Sequence, residues 1–160
     1  MKKLIAITLV ALLTSAATSC GKKTEEVEPT LLQVLDPKVE PMFNELKLYL
    51  VLNGIKVESM RQVSVSFVSE FPPEADKFPT MARCYHVKKL IVISEKYWRD
   101  ANEYAKRAYL AHEVGHCAFK IMGHDENSPI MTTLLPHLMD KQEYDFRMRG
   151  FILELKKRGY

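Results

Sequence analysis

Met42, Phe43, Leu46, Tyr49 and Leu50 recur at the three-and-four spacing of one helical face. Asp36-Pro37 offers a cap and a first-turn proline ahead of them, and Asn53-Gly54 ends the run. The period then changes. Val63, Val65 and Phe67 alternate with Ser64 and Ser66, the signature of a half-buried strand. The stretch 70–83 contains Pro72, Pro73 and Pro79 with no apolar period, which predicts a long loop of the kind that borders binding sites. A second, β-branched strand follows at 90–93, with Tyr97 and Trp98 packing onto the next element. Asp100, with Glu103 three residues on, predicts the start of a helix over 101–121, and Gly123 is placed to stop it. Asn127-Ser128-Pro129 marks a turn. The last helix is expected over 140–157, with Phe146, Phe151, Ile152 and Leu155 as its apolar contacts and Gly159 as its stop. Helix, strands, long helix, turn, helix is the order of an α+β domain: a short sheet packed on a long helix, with a C-terminal helix added.

The N-terminus changes the picture of where this domain works. Met1-Lys2-Lys3 is basic, 4–13 is an almost unbroken apolar run, and small residues lead to Cys20. That is the layout of a secretory signal peptide over 1–19, with an apolar core too short to span a membrane comfortably. Ala17-Thr18-Ser19-Cys20 resembles a bacterial lipobox, which implies cleavage before Cys20 and lipidation of its thiol. The family pattern prefers leucine where Ala17 stands, and Ser15-Ala16-Ala17 would suit an ordinary signal peptidase releasing a soluble protein. Residues 20–30 are polar and aperiodic, so they read as the lipidated cysteine and a flexible tether, with the folded domain at 31–160.

Charge is then nearly balanced. Without Lys2 and Lys3 the 23 basic residues fall to 21 against 20 acidic ones, and no basic stripe suggests a nucleic-acid partner. Beyond Cys20 the only cysteines are Cys84 and Cys117. In an oxidising envelope compartment two such cysteines are expected to form a disulfide.

His112-Glu113-Val114-Gly115-His116 lies in the predicted long helix. Histidines four apart share one face, so their imidazoles can hold one metal ion. Glu113, next to the first of them, is then placed to take a proton from a metal-bound water. Ala108, Ala111, Gly115 and Phe119 on or beside that face predict burial, and buried histidines need partners. Gly123-His124-Asp125 follows at the expected helix end and Ser128-Pro129-Ile130-Met131 comes next, so three of the five histidines fall within 112–124.

The segment HEVGHCAFKIMGHDENSPIM at 112–131 resembles the active site of the metzincin branch of zincin metallopeptidases. It is similar, more narrowly, to small bacterial envelope proteins that carry an upstream cysteine, a strand and a tryptophan, matched here by Cys84, 90–93 and Trp98. The match covers roughly a third of the chain. The resemblance implies a zincin-like domain in which His112 and His116 bind Zn2+, Glu113 is the general base, and Met131 lies in a tight turn beneath the metal. It also departs from the pattern: the usual glycine and third-ligand positions are Phe119 and Met122. The third ligand is therefore expected from a longer helix end, at His124, with Asp125 as the alternative and Glu143 as the candidate of a different zincin architecture. His86 and His137 read as loop histidines, and Met122, Met131 and Met139 have core packing as their plain alternative.

These readings together imply a zinc metallopeptidase of the bacterial envelope, held to a membrane by a lipid anchor and acting on a protein or peptide. The strand at 90–93 is the expected edge along which an extended substrate would lie. The competing expectation is a non-catalytic lipoprotein that binds a metal or a partner, for which Glu113 would have no chemical use.

Overall fold

The computed structural model describes residues 33–71, 80–124, 128–132 and 135–160. Cys20, the tether and Asp125 lie outside them, as does most of the expected proline-rich loop. Helix α1 spans Glu40–Leu52 and buries Met42, Phe43, Leu46 and Leu50. It begins later than Asp36-Pro37 suggested. The Asp36 carboxylate accepts the Lys38 N–H at 2.9 Å, and its carbonyl accepts those of Val39 and Glu40. Asp36 therefore caps a turn ahead of the helix, and Pro41 occupies the first turn, where a missing N–H costs nothing.

Three strands form one sheet: β1 Ser64–Val68, β2 Ala82–Tyr85 and β3 Leu90–Ser94, in the order β1-β3-β2. β1 runs parallel to β3, with Val65 opposite Ile91, and β2 runs antiparallel to it, with Cys84 opposite Ile91. The free side of β1 is taken by the incoming chain, since Val65 N–H donates to the Val34 carbonyl and Asp36 N–H to that of Val65. This corrects two expectations. The strand at 90–93 is central rather than an edge, as its fully buried run Ile91, Val92, Ile93 and Ser94 requires. The edge is β2, four residues that include the end of the supposed loop.

The long helix is also divided. A short α2, Glu95–Asp100, ends at Ala101, whose backbone is extended, and α3 runs over Glu103–Cys117. Asn102, not Asp100, is the cap. Its side-chain oxygen accepts the Ala105 N–H at 3.0 Å, while its amide donates to the Met139 carbonyl at 2.8 Å. One side chain thus starts α3 and fastens the segment leading to α4. Helix α4, Lys141–Lys157, is capped by Asp140 and buries Met148, Phe151, Ile152 and Leu155. Phe146 is 60% exposed instead of packed, because it falls on the outer stripe with Arg149 and Leu153.

The α+β layering follows from α3. Ala105, Ala108, Ala111 and Gly115 are small, so α1, α4, β2 and β3 all pack closely against it. Phe43, Phe119 and Phe151 fill the space left, each burial contributing about 2–3 kcal/mol. A disulfide joins Cys84 of β2 to Cys117 at the end of α3, with α-carbons 5.6 Å apart.

Candidate metal centre

α3 stops at Cys117 rather than near 121, and this stop builds the site. Lys120 adopts the left-handed conformation at φ 51°, and Ile121 N–H donates to the Gly115 carbonyl at 3.1 Å. The chain thereby folds back over the helix end. Gly123, at φ 75°, makes the next bend and delivers His124 to the two helical histidines.

His112, His116 and His124 form one cluster, each offering a ring nitrogen within 4.8 Å of the others. Nε2 of His112 lies 3.1 Å from Nε2 of His116 and 3.2 Å from that of His124. Nδ1 of His112 donates to the Ile130 carbonyl at 2.7 Å, and Nδ1 of His116 to the Ile121 carbonyl at 2.6 Å. Because a carbonyl can only accept, each Nδ1 carries the proton and each Nε2 presents its lone pair to the centre of the cluster. Three imidazole nitrogens converging on one point, two of them fixed from behind, suit a borderline-soft cation such as Zn2+. Burial lowers the pKa of His112 to about 4, with the neighbouring imidazoles adding to the effect and the Ile130 carbonyl opposing it. Burial lowers that of His116 as well. Both are neutral at physiological pH, the form that binds metal.

Glu113 is buried beside them. Burial raises its pKa to about 8, opposed by the Cys84 N–H that donates to the carboxylate and by the charge of Arg83. The sheet register explains that bond. Ser94 N–H donates to the Met81 carbonyl, so Met81, Arg83 and Tyr85 turn their backbone groups toward β3, while Ala82 and Cys84 turn theirs away from the sheet, off an edge that no described strand covers. Glu113 meets this edge.

Beneath the cluster lies the turn 128–131. Met131 is wholly buried against Gly115. Ser128 Oγ accepts the Met131 N–H and donates to Glu154 at 2.5 Å, Arg147 donates to the Pro129 carbonyl, and the Pro129 ring packs on Gly150. α4 therefore holds the turn whose Ile130 carbonyl orients His112.

Glu143 is drawn elsewhere. Its carboxylate pairs with Arg147, and it is not a member of the histidine cluster. His137 stands apart between the rings of Tyr97 and Tyr109. His86 approaches more closely than its loop setting suggested, with its ring 6.2 Å from that of His116 and its Nδ1 3.6 Å from Cys84 Sγ. The carbonyl partners Ile121 and Ile130 were not legible in the sequence, because any residue supplies a carbonyl. No family model, curated protein or solved structure matches this chain.

Proposed function

We propose that this protein is a zinc-dependent endopeptidase of the bacterial cell envelope, anchored through lipid on Cys20. The observation that carries the reading is the meeting of three imidazole nitrogens, two of them from α3, with a buried glutamate of that helix beside the edge strand β2. Zinc bound there supplies Lewis acidity and a water acidic enough to lose a proton near neutral pH. His112, His116 and His124 hold it. The carboxyl of Glu113, neutral while it lies buried without a cation, ionises more readily next to one and serves as the proton acceptor. An extended peptide pairs with the outward backbone groups of Ala82 and with the Cys84 carbonyl, the Cys84 N–H being held by Glu113, so β2 aligns the substrate in place of the strand at 90–93. A site meant only to brace the fold closes all four positions with protein ligands, whereas among the described residues this cluster offers three and keeps a carboxyl beside them.

Metal content and peptide cleavage, measured together, test it. The expected result is about one zinc per chain, lost in His112→Ala, His116→Ala and His124→Ala but retained in Glu113→Gln. Hydrolysis of a mixed peptide library should vanish in all four variants. Zinc bound by the wild type with no cleavage of any peptide would leave a non-catalytic metal-binding lipoprotein. No bound zinc after reloading would sink both.

A further inference from the structure

One end of the domain collects the chain entry, an exposed apolar residue and a group of bases. Gln33, the first described residue, donates from its side-chain amide to the carbonyls of Met60 and Val63 at 3.1 and 2.9 Å. Next to Val63, Ser64 N–H donates to the Lys89 carbonyl at 2.9 Å, and Lys89 Nζ reaches Gln62 at 2.7 Å. The described chain therefore begins, at Gln33, beside the connection from β2 to β3.

That connection is a single helical turn, His86–Lys88, closed by Lys89 in the left-handed conformation at φ 46°. Val87 stands at its apex, 98% exposed. Lys88 beside it is exposed, as are Lys56 and Arg61 on the path from α1 to β1. Within 56–62 and 85–89 Lys56, Arg61, Lys88 and Lys89 face a single acid, Glu58.

We propose that this end of the domain is a membrane-facing surface, on which Val87 enters the headgroup layer while Lys56, Arg61, Lys88 and Lys89 meet anionic lipid phosphates. The inference rests on the anchored reading above only for the pull of the tether. An exposed apolar residue followed by two lysines, the second of which reaches Gln62 next to Arg61, suits an anionic bilayer surface, and a basic patch is the usual second signal that makes a lipid anchor stable. A rim selecting acidic peptides would use the same charges, but it would gain nothing from a valine held in water at the apex, nor from the chain entry at Gln33 beside it. The placement has a consequence for the site. His86 precedes Val87 and its ring neighbours His116, so the histidine cluster lies close to the lipid, and polypeptide segments near the membrane are the substrates within reach.

The test uses residues 20–160 carrying Cys20→Ser, so that no lipid can be attached, with vesicles of phosphatidylcholine alone or mixed with phosphatidylglycerol. Co-sedimentation with the anionic vesicles only, abolished by high salt, is the expected result. Lys56→Glu with Lys88→Glu should weaken it at least about tenfold, and Val87→Asp should weaken it too, with circular dichroism and zinc content unchanged. Equal sedimentation with both vesicles, or no effect of the charge reversals, would overturn the proposal. So would unchanged vesicle binding in the reversal variant accompanied by lost affinity for an acidic peptide, which would assign the surface to substrate. Labelled palmitate incorporation at Cys20 in cells is read separately, so failure of the anchor and failure of this surface are distinguishable.

Discussion

The sulfur of Met131 occupies the space that a β-carbon on residue 115 would need. A methyl placed there would lie 2.6 Å from Sδ and 3.2 Å from Cε. Gly115 stands between the two helical histidines, so Met131 is pressed against the floor of the cluster. Gly115→Ala gains up to about 1 kcal/mol of helix propensity but overpacks a buried site, which costs about 1–3 kcal/mol. The rigid neighbour Phe151, 3.3 Å from the same point, makes the cost prevail. Denaturant unfolding of the metal-free variant should show net destabilisation, and chelator competition should show weaker zinc binding. A gain in stability would mean that Met131 moves aside freely.

Gly150 tests the same turn from α4. A β-carbon there would lie 2.6 Å from Pro129 Cγ, and a proline ring cannot swing away as a methionine can. Gly150→Ala should shift Pro129 and with it the Ile130 carbonyl that orients His112. Glu154→Gln weakens the hold on Ser128 from the same helix. Partners that orient a ligand in this way change metal affinity by about 10–100-fold when lost. Both variants should therefore bind zinc at least about tenfold more weakly while keeping their helical circular dichroism. Unchanged affinity in both would separate the turn from the ligand.

The disulfide spans 33 residues, and closing a loop of that length stabilises the fold by about 4 kcal/mol in the chain-entropy account. It also fixes the strand whose Cys84 N–H reaches Glu113. Cys84→Ser with Cys117→Ser should lower unfolding stability by a few kcal/mol, roughly 2–4. Peptide cleavage should fall more than zinc content, since His112, His116 and His124 do not depend on β2 for their partners.

Two opposed pKa shifts give the metal-free domain a pH signature. His112 is held near 4 against 6.5 in the unfolded chain, so between those values the unfolded state carries the extra proton and stability falls as pH drops. Glu113 is held near 8 against 4.5, so between those values the folded state carries the extra proton and stability falls as pH rises. From 4.5 to 6.5 the slopes of His112 and Glu113 cancel, and His116, also lowered by burial, adds a fall in stability as pH drops just below 6.5. Above 6.5 only Glu113 acts, and its contribution falls by about 2 kcal/mol by pH 8. Glu113→Gln should abolish that fall and expose the His112 slope below 6.5. Urea unfolding of the metal-free protein across pH 4.5–8 checks both. A wild type and variant with parallel profiles would contradict the burial of Glu113.

Periodicity and local chemistry made much of this protein legible in the chain itself. The face of α1, that of α4 apart from Phe146, the alternation of β1, the buried run of β3 and the pair of histidines one turn apart are all consequences of neighbours in sequence. So was the pairing of the only two cysteines beyond Cys20, which two residues in an oxidising setting leave little choice about. Asn102 in place of Asp100 as the cap shows where local reading stops. Two cap-forming residues, with only Ala101 between them, compete, and the bonds of Asn102 to Met139, 37 residues away, decide between them.

Tertiary structure alone decided the rest. Which strand is the edge depends on the incoming chain covering β1 and on β2 choosing the far side of β3, and four residues of β2 carry too short a pattern to announce it. His124 joins the cluster because the chain turns at Lys120, a residue with no intrinsic preference for that conformation, through a bond to the Gly115 carbonyl. The imidazoles are aimed by the carbonyls of Ile121 and Ile130, which any residue could supply. Side-chain identity determined what could bind; backbone groups brought together across the fold determined where it is held.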